Sequence, residues 1–147
     1  LPPGARNLVT PQGLAALRDE LAHMDRDEAD LLDGDPQRPD RARRLAVLRE
    51  RRTALEDRLA SAEPVLPPDP PDGRIRVGSA VTVERDGEPV RFRITGVDEA
   101  DPLEGTIAHT APLAQAVLDL AEGDDAEARI DGRPVRLRIV RVGTDAA

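Results

Sequence analysis

The sequence predicts an α+β fold, in which an antiparallel two-helix coiled coil is followed by a small antiparallel sheet with one short helix. Between residues 10 and 62, apolar residues recur in alternating steps of three and four, the spacing of a coiled-coil seam. From Arg74 onward, apolar residues alternate with polar ones, which is typical of half-buried strands. A proline-rich segment separates the two patterns. The predicted domains are therefore a hairpin over 8–63, a semi-rigid linker over 64–73 and a sheet module over 74–143.

The first helix is predicted to begin at Thr10-Pro11. Threonine can cap free N–H groups, and proline at the first helical position loses no hydrogen bond. Gly34 and Pro36 are expected to end this helix. Its seam is apolar except for one acidic position, and consists of Leu14, Leu17, Leu21, Met24, Glu28 and Leu31.

The second helix is predicted to begin at Pro39-Asp40 and to stop at Pro64. Its seam is apolar except for one basic position, and consists of Ala42, Leu45, Leu48, Arg52, Leu55, Leu59 and Ala62. An antiparallel register brings Glu28 nearer Leu45 and Arg52 nearer Met24. The pattern therefore does not predict a direct pair between Glu28 and Arg52.

The two helices carry opposite charge. Residues 18–35 contain two arginines and eight acids, net −6, and residues 38–58 contain eight arginines and four acids, net +4. These faces are expected to attract each other and to keep the hairpin soluble. The residues alone favour a polar connecting loop with capping aspartates over a functional tip. The charged residues of this predicted tip are Asp30, Asp33, Asp35, Arg38 and Asp40.

The sheet module is predicted from alternation and turn signals. The first strand, residues 80–84, has Val81 and Val83 facing inward, and Asp86-Gly87 is a hairpin turn. In the next strand Val90, Phe92 and Ile94 alternate with polar residues. An acidic loop follows over 98–105, and then a short strand over 106–109.

A short helix is predicted to start at Thr110-Ala111-Pro112 and to run from Leu113 to Leu120. Two further strands are joined by a second turn at Asp131-Gly132. The last strand breaks its alternation at Val140 and Val142, which predicts either a bulge or a strand covered on both sides.

Composition excludes several classes of function. The net charge is −8 and aromatic residues are 1%, which argues against autonomous binding of duplex or single-stranded nucleic acid. There is no cysteine, no apolar run long enough to span a bilayer and no signal-peptide pattern, so a cytoplasmic protein is expected. Neither His23 nor His109 has a partner at ligand spacing, so no intrinsic metal site or cofactor is expected.

Five stretches together carry a family resemblance over nearly the whole chain: residues 8–14, 17–21, 96–101, 110–118 and 122–124. They are similar to the Gre family of bacterial transcription factors, whose members join a coiled-coil finger to an FKBP-like domain. The resemblance implies that residues 74–143 dock at the rim of the secondary channel of RNA polymerase, through Asp98, Glu99, Asp101, Pro112 and Leu113. The finger would then enter the channel as part of a monomeric factor.

The resemblance also implies a role for the tip. In the family, acidic residues at the tip help to hold a metal ion and activate water to cleave backtracked RNA, which suits carboxylates and Mg²⁺. In the family, an Asp-x-x-Glu pattern follows a glycine. Here Gly34-Asp35 matches the glycine and the aspartate, but Arg38 occupies the position of the glutamate. Asp33 or Asp40 could supply the missing carboxylate. The hairpin is also shorter than the family's.

We therefore expect a factor that enters the channel and modulates the polymerase, with inhibition preferred. One alternative is a factor that stimulates transcript cleavage, with Asp33 and Asp35 lent to the polymerase magnesium. Another is an adaptor that binds some other protein with the same modules. Prolyl isomerase activity is not expected, because Phe92 is the only aromatic residue and cannot line a proline pocket alone.

Overall fold

The computed structural model describes residues 5–66 and 72–143. The chain forms two compact units: one is Leu14–Ala62, and the other joins the residues before Leu14 to those after Ala62. Residues 67–71 of the predicted proline-rich linker lie outside the described residues. Within the described ranges, no helix is long and apolar enough to cross a membrane.

The hairpin consists of α1, Pro11–Asp33, and α2, Arg41–Ser61. The predicted start of α1 and its end before Gly34 are confirmed, and α2 begins directly after Asp40. α2 was predicted to stop at Pro64 and ends slightly earlier, at Ser61. Ala62–Pro64 instead forms a short strand, β2, which pairs with β1, Asn7–Val9.

Burial confirms the predicted seam of the hairpin. Leu17 and Leu55 are buried, and every other seam position is half-buried except Ala42, which is exposed. Glu28 and Arg52, for which the pattern predicted no secure pair, do pair, because the guanidinium of Arg52 binds the carboxylates of both Glu28 and Asp25. Residues earlier in α1 thus meet residues later in α2, which makes the helices antiparallel.

The other unit is built on a five-stranded sheet with the strand order β5-β4-β3-β7-β6. Its strands are β3, Ala80–Arg85; β4, Glu88–Thr95; β5, Thr106–Ala108; β6, Asp125–Ile130; and β7, Arg133–Gly143. The predicted α+β class is confirmed. One detail differs, since β5 pairs with β4 in parallel. The chain between these strands makes a short 3-10 turn, Pro102–Glu104, and re-enters the sheet in the same direction.

The core of this unit lies between the sheet and α3, Pro112–Val117. It is entirely aliphatic except for Phe92, and its least exposed members include Ile75, Val81, Val83, Ile94, Ala114, Val117 and Ile139. α3 is shorter than predicted, because Leu118 is extended and Asp119 has a positive φ of 69°.

The pairing of the strands decides two other predictions, which concern Val90 in β4 and the irregularity near the end of β7. Val90 is exposed, because β4 pairs with β5 only over residues 93–95 and its earlier part lacks a neighbour on that side. The irregularity predicted at the end of the last strand is a bulge: Thr82 lies opposite Arg141 and Val83 opposite Ile139, so Val140 is left out and is exposed.

Candidate functional site

The tip of the hairpin joins two helix ends that differ in charge: the end of α1 is acidic and the start of α2 is basic. Asp30 and Asp33 lie in the last turn of α1, where no basic residue is present. The carbonyl end of a helix carries partial negative charge, so two carboxylates there are unfavourable for helix stability by about 0.3–1 kcal/mol each. A sequence that breaks a local rule at one place is often serving a function there.

The basic side of the tip is held by contacts within the hairpin. Asp40 forms ion pairs with Arg38, at 2.7 Å, and with Arg44, at 2.8 Å. Arg41 donates to the carbonyl oxygen of Leu32 at 2.9 Å, which ties the start of α2 to the end of α1. The carboxylate of Asp40 is therefore committed to arginines. Arg38 has its charge partly neutralised by the same pair.

The remaining acids of the tip are available. Asp30, Asp33 and Asp35 are exposed, and none of them has an ion pair with a residue in the described parts of the chain. Asp35 holds the loop through the amide of Gln37, at 2.9 Å, and leaves its second carboxylate oxygen to solvent. The tip thus presents three carboxylates, while Asp40 is withdrawn from the set considered from the sequence.

The five residues expected to dock are spread over loop 98–105 and the start of α3, and they differ in environment. Asp98 is exposed, and the carboxylate of Asp101 accepts from the amide of Leu103 at 3.0 Å and starts the 3-10 turn. Pro112 is the exposed first residue of α3, and Leu113 is half-buried against the core. Glu99 is different, because its carboxylate turns inward and binds backbone amides of Thr10 and Gly96.

Leu103 is not among the site residues predicted from the sequence. It lies in the 3-10 turn of loop 98–105 and its side chain is 95% exposed. Its neighbours are acidic, and Gly105 closes the turn with a left-handed φ of 76°. The signal was available, since this leucine belongs to neither the strand period nor the helix period. A single exposed leucine is common on protein surfaces, and only its place in the loop expected to dock makes it a candidate contact.

His109 directly follows β5 and is buried, with 6% of its surface exposed. Its backbone N–H donates to Thr95 and its carbonyl oxygen accepts from the side chain of Gln115. Burial lowers the pKa of His109 below its ordinary value of 6.5. His23 is exposed on α1. Among the described residues no group of three or more acidic, histidine or cysteine side chains could hold a metal ion.

The lowered pKa of His109 predicts a pH dependence of stability. Because the unfolded chain takes up the proton first, this contribution is present above pH 6.5 and is lost progressively as the pH falls below 6.5. We expect the urea midpoint of the wild type to fall between pH 7.5 and pH 5.5 by more than that of His109→Gln. His23→Gln is the control, and an equal fall in all three proteins would contradict the prediction.

The arrangement defines a two-module class of protein, in which a helical hairpin with a charged tip is joined to an α+β module. Residues 70–144 match the family model described as transcription elongation factor, GreA/GreB, C-terminal. The chain belongs to the GreA/GreB family of transcription elongation factors.

Two curated relatives agree with this assignment. The chain is 30% identical to transcription elongation factor GreA of Desulfovibrio desulfuricans, over 91% of each protein. It is also 30% identical to GreA of Mycoplasmoides gallisepticum, where the match spans 65% of this chain and only 61% of that protein. A GreA/GreB factor structure from Nitrosomonas europaea shares 24% identity, with 93% of this chain and 98% of that one covered and a TM-score of 0.45. The curated relatives are named as elongation factors and not as enzymes.

Proposed function

We propose that this protein binds RNA polymerase during elongation and stimulates cleavage of the transcript, by lending carboxylates from the hairpin tip to the metal site of the polymerase. The protein would act as a monomer in the cytoplasm. The sequence analysis preferred an inhibitory factor. The names of the relatives support the cleavage-stimulating alternative better, because they are elongation factors.

One observation carries the proposal. Asp30, Asp33 and Asp35 are exposed carboxylates at the end of a helix that is itself destabilised by negative charge there. Mg²⁺ binds through few protein oxygens and keeps several waters, so it can be shared between a polymerase and carboxylates brought from outside. The chemistry supplied is the placement of a metal and the activation of a bound water.

Arg38 is compatible with this role. An unpaired arginine at the position of the family's glutamate would repel a cation. Here the guanidinium of Arg38 lies against the carboxylate of Asp40 at 2.7 Å, which screens much of that repulsion.

Transcript cleavage by a stalled, backtracked elongation complex tests the proposal, after binding to the polymerase has been established by pull-down. Faster cleavage in the presence of the protein is the expected result. Binding with slower nucleotide addition and unchanged cleavage would instead support the inhibitory factor. Failure to bind the polymerase would support an adaptor for another protein.

The loop 98–105 is proposed to contribute to docking through Leu103. Replacing Leu103 by serine is expected to weaken binding to the polymerase about tenfold, because a fully exposed apolar anchor loses its burial in the complex. The melting temperature should not change, since this side chain contacts little in the free protein. Val140→Ser is the matched control, because Val140 is also an exposed apolar residue of the same module. Equal binding by both variants would rule out Leu103 as an anchor.

A further inference from the structure

The N-terminus of α1 carries only half of a capping box. The hydroxyl oxygen of Thr10 accepts from the N–H of Gly13 at 3.0 Å, as the capping residue of such a box does. The other half is normally a glutamate or glutamine at the third helical position, whose side chain reaches back to the N–H of the capping residue. In α1 that third position is Gly13, which has no side chain to offer.

Glu99 supplies the missing half from a distant part of the sequence. Its carboxylate oxygen Oε2 accepts from the N–H of Thr10 at 3.0 Å and from the N–H of Gly96 at 2.9 Å. Its other oxygen, Oε1, accepts from the hydroxyl of Thr10. A carboxylate at the N-terminus of a helix is also favoured by the partial positive charge of that end.

The carboxylate of Glu99 fits here only because two residues beside it in the structure, Gly13 and Gly96, have no side chain. A Cβ atom on Gly13 would lie 2.0 Å from Cδ of Glu99, which is far inside contact distance. A Cβ on Gly96 would lie 2.7 Å from the carbonyl oxygen of Leu8 and 2.9 Å from Oε2 of Glu99. A glutamate at position 13 would complete a local capping box, but its side chain would occupy the space that the carboxylate of Glu99 fills.

We infer that Glu99 is a positioning residue, which completes the capping box of α1 from the sheet module and so fixes the first turn of that helix on the module. Thr10 is 1% exposed and Val9 is fully buried, so the segment that Glu99 holds is itself part of the module. α1 continues from this turn to Asp33 as one helix. The consequence of this role for transcription rests on the proposed function.

This role differs from the docking role that the sequence analysis gave to Glu99. A carboxylate that accepts from Thr10 twice and from Gly96 once can meet a partner only by giving up these bonds. The exposed acid of the same loop that makes no such contact is Glu104. Glu104→Ala therefore removes the same charge from the loop and leaves the capping contacts intact.

Spin labels provide a test that needs no polymerase. The chain has no cysteine, so Gln12→Cys in the first turn of α1 and Glu127→Cys on β6 give two unique labelling sites on exposed residues of the same unit. Double electron–electron resonance should show a narrow distance distribution in the parent, the same width in Glu104→Ala, and a clearly wider one in Glu99→Ala. An unchanged width in Glu99→Ala would overturn the inference.

A second variant separates positioning from simple capping. Gly13→Glu in the Glu99→Ala background restores a local capping box and fits only there, because a Cβ at position 13 would otherwise lie 2.0 Å from Cδ of Glu99. Glu99→Ala alone should lower the melting temperature by about 3–6 °C, and the double variant should recover most of that loss. The distance distribution of the double variant should nevertheless stay wide. Recovery of the narrow distribution would mean that Glu99 is only a cap.

The transcription arm distinguishes this inference from the proposed function. Glu99→Ala and Glu99→Ala with Gly13→Glu should bind the polymerase with wild-type affinity and stimulate cleavage less. Loss of affinity in Glu99→Ala but not in Glu104→Ala would make Glu99 a docking residue and overturn the inference. If the wild type itself fails to stimulate cleavage, the proposed function fails, and the distance distributions still decide the role of Glu99.

Discussion

Replacing Asp33 and Asp35 by asparagine is expected to lower the stimulation of transcript cleavage by about 10–100-fold without weakening binding to the polymerase. Asparagine keeps the side-chain oxygen that accepts from Gln37 in the tip loop, so the turn at Asp35 is preserved. What is lost is the charge of two carboxylates that could hold a metal ion. The measurement is the rate of RNA cleavage in a backtracked complex at saturating factor.

The same change is expected to raise stability slightly. Asp33 is the last residue of α1, where negative charge opposes the helix dipole, so Asp33→Asn should raise the melting temperature by about 1–3 °C. A gain in stability together with a loss of activity separates a functional role of the acids from a structural one. If both carboxylates served only the fold, stability would fall.

The control for charge is Asp19→Asn with Glu20→Gln, which removes two exposed acids from the same helix outside the tip. This variant should stimulate cleavage as the wild type does. Wild-type cleavage by Asp33→Asn with Asp35→Asn would contradict the proposed role of the tip, and an equal loss in both double variants would point to the overall charge of the hairpin.

The hairpin could be predicted from sequence because its information is local and periodic. Steps of three and four place each seam residue on one stripe of a helix, and the structure leaves only Ala42 exposed among these positions. The pair of Glu28 and Arg52 could not be obtained in the same way. Matching opposite backbone positions ignores the length of arginine, which reaches along the partner helix to a carboxylate about a turn away.

The candidate site was less predictable, because its decisive contacts join distant parts of the chain. Four acids lie in or beside the loop after β4, and nothing in their order says that Glu99 is the one that turns inward. A sign was present at the other end of the contact, where Gly13 occupies the position at which a capping box needs glutamate. Leu103 could be noticed as a leucine outside both periods, but its exposure follows from tertiary structure.

The parallel pairing of β5 with β4 also depends on tertiary structure. β5 has only three residues, which is too short for alternation to indicate a face or a direction. A simple hairpin reverses the chain once and gives an antiparallel pair. The turn at Pro102–Glu104 adds a second reversal, so β5 runs parallel to β4. β5 is followed by His109 and then by α3. The direction of β5 therefore determines at which end of the strand α3 begins.

The largest effect on stability is expected from Arg52→Leu. The side chains of Arg52 and Glu28 are only 21% and 16% exposed, so their ion pair lies largely within the seam. Arg52→Leu leaves Glu28 with only Arg49, at 3.5 Å, and a poorly compensated carboxylate in an apolar seam should cost about 2–3 kcal/mol in the free energy of unfolding. Glu28→Leu should cost less, because Arg52 keeps Asp25 at 3.0 Å. Urea unfolding of both variants measures the difference.

The double variant Glu28→Leu with Arg52→Leu should recover the loss, because a well-packed apolar pair often replaces a buried ion pair without cost. The double variant should instead lose the single register between its two helices. With leucine at both positions, no polar pair remains in the middle of the seam to fix that register. Light scattering is then expected to show dimers, whereas the wild type is proposed to be a monomer, since an all-apolar seam also fits a second copy. A double variant that stays monomeric and stimulates cleavage normally would show that the pair does not specify the hairpin. If both single variants prove neutral, the pair is too well solvated to matter, and the seam owes its register to leucine packing alone.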